Sequence, residues 1–263
     1  MLTQPQEYLE VTNPRHPKYF DDLAPTCMTF PASDPTFFVL GTEEGCIHPC
    51  HRYDRAGAQA GVDPKILYAG HSGPVMSAQF HPGRGPVDLG DLLLTSSVDW
   101  SMKLWRVKPG AAIGTTATNT TTNPSKTASG LPAPTTPPAI QPLLSIACED
   151  LVYDAQWAPH KPSVFACVTG ANQLDIYDLA LDTEIPVARA SPAKGKGGSP
   201  GPLLDALNKV AWERKRGGLV ATAGLDGVVS LFEVGKGLAG VEAGVEEWQN
   251  MKRVVARAES GGD

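Results

Sequence analysis

No stretch of the sequence approaches the roughly 18 consecutive apolar residues that a membrane-spanning helix requires, so the chain is not expected to cross a membrane. Met1–Glu10 is polar and has no apolar run of signal-peptide length. Cysteine is sparse. The five thiols, Cys27, Cys46, Cys50, Cys148 and Cys167, are odd in number and scattered, which argues against a disulfide framework and for reduced thiols in the cytoplasm. Charged residues make up only 19% of the 263 and the formal net charge is −6. A nucleic-acid binder needs a basic face, and the nearest candidate, Lys194-Gly-Lys196, is too short and lies in a Gly/Pro-rich stretch. The chain also lacks Gly-x-Gly-x-x-Gly, a phosphate-binding loop and Gly-x-Ser-x-Gly. The expectation is a soluble protein that is not an enzyme and carries no cofactor.

What the sequence does contain is glycine and proline, 27 and 24 residues respectively, a load that favours turns and short strands over long helices. One pattern recurs four times. A short alternating strand ends in an aromatic residue; a more apolar strand, a tight polar turn and a third strand follow. The clearest copy runs from Gly70-His71 through Val75–Phe80 and Leu92–Asp99 to Met102–Trp105. The others carry Val152–Trp157, Val164–Thr169 and Leu174–Asp178; then Asn208–Trp212, Leu219–Gly227 and Val229–Phe232; and, more worn, Cys27–Pro31, Phe37–Thr42 and Ile47–Cys50. The anchors Phe30, Phe80, Trp157 and Trp212 lie 50, 77 and 55 residues apart. Residues 108–142, rich in Thr, Pro, Ala, Asn and Ser, have too little apolar surface to offset ordering entropy and read as a disordered insertion; residues 191–202 read as a flexible loop. Without them the period approaches the roughly 40–45 residues of a WD-repeat blade.

The fold class is therefore all-β: a partial WD-repeat β-propeller of about four blades, each an antiparallel four-stranded sheet. Residues 1–107 supply two blades, 108–142 the insertion, 143–245 two more blades, and 246–263 a tail. The tail places Trp248, Met251, Val255 and Ala258 at helical spacing, which predicts a short amphipathic helix ended by the glycines at 261 and 262. Asp99-Trp100 and Asp226-Gly227 are expected in two-residue hairpin turns. His71, Ser97 of the Ser96-Ser97 pair, Asp99 and Trp105 match the hydrogen-bonded structural tetrad of WD repeats. Propellers of this type have about seven blades, so a four-blade chain exposes a blade face at each end, and the isolated chain is expected to aggregate.

Several segments resemble the C-terminal WD-repeat region of cytoplasmic dynein intermediate chains. They are Thr29–Asp34 with Gly41–Gly45, Gly85–Asp88 with Thr95–Trp105, Glu149–Trp157 through Phe165–Val168, and Asp182–Pro186; Met1–Gln6 and Glu247-Trp248 also fit. The resemblance implies a scaffold in the cytoskeleton-associated minus-end-directed microtubule motor, with the dynein heavy chain as partner and other dynein subunits reached through regions outside this sequence. Cys50, Tyr177 and Phe232 depart from it, standing where a stricter repeat has tryptophan. A WD-repeat adaptor outside dynein is the alternative.

Candidate chemistry is thin. Cys46, His48, Cys50 and His51 suggest a metal cluster, but on a strand Cys46 and Cys50 lie about 13 Å apart, too far for one zinc ion unless His48-Pro49 bends the chain. Asp150, Asp154 and Asp175 with His160 suggest acid–base chemistry, though nothing in the sequence gathers them. Trp100, in a tight turn, and Trp248, in the tail, are the candidate partner-binding residues; for Trp248 the competing role is capping a blade.

Overall fold

The computed structural model describes residues 9, 11, 22–53, 60–83, 85–107, 139–192, 206–240 and 243–261. The first sheet is built from β1 (Pro25–Thr29), β2 (Phe37–Thr42), β3 (Cys46–His51), β4 (Gly61–Val62) and β5 (Leu67–Ala69). In the second, β6 (Val75–Phe80), β7 (Leu92–Ser97) and β8 (Ser101–Arg106) come first. The chain then adds β9 (Ala139–Ile140) to the edge of the first sheet before β10 (Leu144–Ala147) completes the second. β11 (Val152–Trp157), β12 (Val164–Thr169), β13 (Leu174–Asp178) and β14 (Ala188–Ala190) make the third sheet, and β15 (Leu207–Trp212), β16 (Leu219–Gly224) and β17 (Val229–Glu233) the fourth. All pairings are antiparallel except β5 with β9. Helix α1 (Val245–Glu259) ends the fold.

The four sheets stand side by side along the inner edge, where β1 touches β6, β6 touches β11 and β11 touches β15. This is a partial WD-repeat propeller that does not close. Two sheets have four strands. The first gains β4 and β9, and the fourth has three, because the chain leaves β17 through residues 234–240 toward α1 instead of turning back along it. Residues 108–138 of the expected insertion, and 193–202 of the expected loop, lie outside the described residues. Residues 139–142 do not belong to an insertion: Tyr68 pairs with Ile140 in the parallel β5–β9 ladder, and Ile140 packs on the first seam.

Both faces of a blade are covered, so β2, β7 and β12 are buried at every position. Phe37, Ile47, Val75, Leu93 and Trp105 fill the first seam; Leu92, Leu104, Trp157 and Phe165 the second; and Val168, Ile176, Val210 and Trp212 the third. The inner strands share a device. Each pairing register slips by one residue, at Thr26, Met76, Tyr153 and Asn208, which is the signature of a β-bulge. The residue after two of these bulges reaches the next blade: Ser77 Oγ accepts from the Ala155 N–H (3.0 Å) and Asp154 from the Val210 N–H (3.2 Å).

Helix α1 bolts the second seam. Its stripe of Trp248, Met251 and Val255 enters the core of that seam. Trp248 lies so close to Gly85 that a Cβ there would meet the indole at 2.2 Å. Lys161 donates to Glu247 at 2.6 Å, and Arg106 pairs with Glu259, tying both helix ends to the blades. Glu246 and Glu247 in the first turn and Arg257 in the last suit the helix dipole. Beneath the helix, His81 sits edge-on to Trp157 (4.9 Å) and Trp248 (5.8 Å). Its Nδ1 accepts from the Gly83 N–H and its Nε2–H donates to the Pro162 carbonyl, both at 3.0 Å, so the ring is neutral. Burial pushes its pKa down to about 4.

Two outcomes follow. Trp248→Ala is expected to cost about 3–5 kcal/mol in urea unfolding, the range for truncating a buried tryptophan. The unfolded His81 binds a proton near pH 6.5 and the folded one only near 4. Stability from this group is therefore complete above about pH 6.5 and falls by roughly 3 kcal/mol on the way to pH 4. Denaturation midpoints measured across that range should show a weaker acid dependence in His81→Gln than in the wild type.

Candidate partner-docking face

The second blade holds one continuous hydrogen-bond chain from its core to its turn. Trp105 Nε1–H donates to Thr95 Oγ1 (2.9 Å), and the Thr95 hydroxyl meets His71 Nε2 (2.8 Å). His71 Nδ1–H donates to Asp99 (3.0 Å), and Asp99 also accepts from the Ser72 N–H (2.9 Å) and the Ser101 hydroxyl (2.6 Å). Burial lowers the His71 pKa, outweighing the neighbouring carboxylate, and the ring stays neutral. Burial acts to raise the Asp99 carboxyl, but hydrogen bonds from Ser101 and Ser72, with His71 alongside, prevail and hold it below its ordinary value.

Thr95, not Ser97, links His71 to Trp105. Ser97 instead donates to the Gly73 carbonyl (3.1 Å) and accepts from the Asp99 N–H (3.1 Å). Both side chains share one face of β7, but Trp105 pairs across from Leu93. Ser97 lies about 13 Å farther along the strand from that pair and Thr95 about 7 Å, at roughly 3.3 Å per residue. Counting from Trp105 would have found Thr95 in the sequence. In the third blade the same register puts Cys167 and Tyr177 at the positions of Thr95 and Trp105. There Tyr177 stacks on Phe165 (5.1 Å), burial pushes the Cys148 thiol up to about 11, and burial likewise pushes Cys167 well above its ordinary value.

The β7–β8 turn contains three residues, Val98, Asp99 and Trp100, one more than expected. Trp100 closes it in the left-handed region, at φ 65°. The pairing registers align this position with Gly45, Asn172 and Gly227 in the other blades, all at positive φ. A three-residue hairpin of this kind calls for glycine or asparagine at that point. A tryptophan there costs about 1–2 kcal/mol. Packing does not repay this, since 52% of Trp100 is exposed. The neighbouring segments run together across this side of the propeller. Gly45 abuts the backbone of His71 and Gly73, Gly73 abuts Val98 and Asp99, the Cys148 N–H donates to the Trp100 carbonyl (2.8 Å), and Asp150 abuts Gly170. Glu43, Glu44 and Glu149 are exposed on these segments. Arg189 beside them is held by Glu149 (3.0 Å) and Asp175 (2.8 Å).

Other sequence candidates do not assemble. Trp248 is 5% exposed, because the apolar stripe of α1 turns it into the second seam, so it presents no surface to a partner. Cys46, His48 and Cys50 lie along β3, which stays paired with β2 through Pro49 and does not bend. Burial, with Asp63 nearby, pushes Cys50 up to about 12, and it packs with Phe38 and Leu40. His51 faces Phe37, at 5.3 Å. Among the described residues no three His, Cys, Asp or Glu gather as a metal site. Asp150 bonds its neighbour Leu151, Asp154 bonds Val210, Asp175 bonds Arg189, and His160 bonds the Lys215 carbonyl, each at a separate place.

Removing the Thr95 hydroxyl strands both His71 Nε2 and Trp105 Nε1. Thr95→Val is expected to cost about 2–4 kcal/mol and Ser97→Ala about 1 kcal/mol or less, compared by urea unfolding.

No family model matches the chain. The chain is similar to the cytoplasmic dynein 1 intermediate chain of Drosophila melanogaster, 31% identical over 250 residues. The match takes in 94% of this chain and 30% of the fly protein, so the chain spans less than a third of that relative's length. The match runs through nearly all of the repeated-blade fold, so the chain is similar to one part of a cytoplasmic dynein intermediate chain.

Proposed function

We propose that this chain is a non-catalytic scaffold within the cytoplasmic dynein motor. Its propeller docks on the heavy chain and so supports minus-end-directed transport of cargo along microtubules, in the cytoplasm and on the cytoskeleton. The observation that carries this reading is the 31% identity to a dynein intermediate chain through 94% of the sequence. The side chains agree with a scaffold. Buried His and Asp groups such as His71, Asp99 and Asp154 are spent on linking strands and blades.

The fourth blade adds a further expectation. Its outer face exposes Leu219, Val229 and Leu231, the last two at 67% and 71%, and no strand among the described residues pairs with the outer edge of β17. This surface has the character of the three buried seams, and a further propeller sheet covers it in the assembled protein.

Affinity purification of the full-length protein, tagged at its own locus, tests the reading. A stoichiometric heavy chain of the AAA type is expected to co-isolate. Stoichiometric recovery of a different machine, such as a ubiquitin ligase, without heavy chain would replace this reading with that of a WD-repeat adaptor outside dynein.

A further inference from the structure

Four equivalent turns face the same side of the propeller, and three of them obey backbone sterics with Gly45, Asn172 and Gly227. The fourth violates them with the bulkiest side chain available, and leaves half of it in water. A misfit of this kind persists when something outside the folded chain uses the side chain. Trp100 offers a large rigid surface on an element fixed from beneath, since Asp99 anchors the turn to His71, Ser72 and Ser101 and the Trp100 carbonyl receives Cys148 N–H. It is therefore held in position before any partner arrives, which favours tight recognition.

The surroundings specify the chemistry of the occupant. The segments contiguous with this turn carry Glu43, Glu44, Glu149 and Asp150. The guanidinium beside them, Arg189, is shared between Glu149 and Asp175. An exposed indole on a surface whose adjoining segments carry carboxylates attracts a cation both through the ring quadrupole and through the field of the acids. We propose that Trp100 is the anchor of a docking site for a lysine- or arginine-bearing segment of a partner protein, lying across the turn side of the first three blades with a basic side chain over the indole. The inference does not depend on which protein supplies the segment, so it stands apart from the heavy-chain assignment.

The test uses the full-length protein in its native complex. Trp100→Asn places in the second blade the residue that the third blade already uses at this point. The melting midpoint is expected to stay level or rise by a few degrees, while the partner that docks on this face is recovered about 30-fold less. Glu43→Lys, remote from the core, is expected to leave the melt unchanged and to weaken the same partner several-fold at physiological salt. Wild-type recovery of every stoichiometric partner by Trp100→Asn would overturn the proposal. So would a lowered melting midpoint in that variant, which would make the indole a packing residue. Loss of a partner in Trp100→Asn with no response to Glu43→Lys would overturn the basic character of the segment. Loss of a partner other than the heavy chain, with the same response to Glu43→Lys, would support the docking site and leave the heavy-chain assignment to its own test.

Discussion

A blade of three or four strands, each about six residues long, has little interior of its own. Its two faces become interior only when a neighbouring blade lies against each, and the dryness of β7 and β12 on both sides follows from that dependence. The repeated bulge in the inner strands serves the same contact. It adds twist where the blades converge and presents Ser77 and Asp154 to the backbone of the next blade. Helix α1 answers the dependence differently, by crossing back to the second seam and filling it with Trp248 rather than extending the row. The exposed Leu219, Val229 and Leu231 show the same dependence on a face that none of the described sheets covers.

The tetrad in the second blade and its replacement in the third show how one geometric slot tolerates different chemistry. The slot needs an aromatic plate on the third strand, a small group diagonal to it and a residue from the incoming loop. Trp105, Thr95 and His71 fill it with a directional chain of hydrogen bonds. Tyr177, Cys167 and Cys148 fill it with a stacked ring, one buried thiol and one half-buried thiol. The apolar plate is what the fold requires. The polar chain adds a rigid link from the blade core to its turn, and in the second blade that link ends under Trp100.

The elements legible in the sequence were those with strong local period. Each three-strand unit and its aromatic anchor came from alternation, and α1 from the spacing of Trp248, Met251 and Val255. What the sequence obscured depended on distance or context. The choice of Thr95 over Ser97 turned on reach, not on which face of the strand was used. Ala139–Ile140 looked like the end of a low-complexity stretch, because a two-residue strand has no period, and only the edge of β5 gives it structure. Trp248 was ambiguous between capping and docking, since an amphipathic helix carries the same stripe for either purpose. The bulges left no trace, because one added residue in an alternating strand looks like a small flaw in the pattern.

Trp100 is the opposite case, a residue whose oddity is sharper in the structure than in the sequence. A tryptophan in a turn is unusual by composition. A tryptophan in the left-handed region, at the position where three sister blades use glycine or asparagine, is costly by sterics. The two properties that make it costly also make it suitable for recognition. More than half of the side chain is exposed, and the hydrogen bonds that Asp99 accepts from Ser72 and Ser101 fix the turn that carries it. A fold whose blades are interchangeable in outline has little else with which to distinguish one turn from the next. The departure from the repeat is therefore where specificity for a partner can reside, while the repeat itself secures the ring.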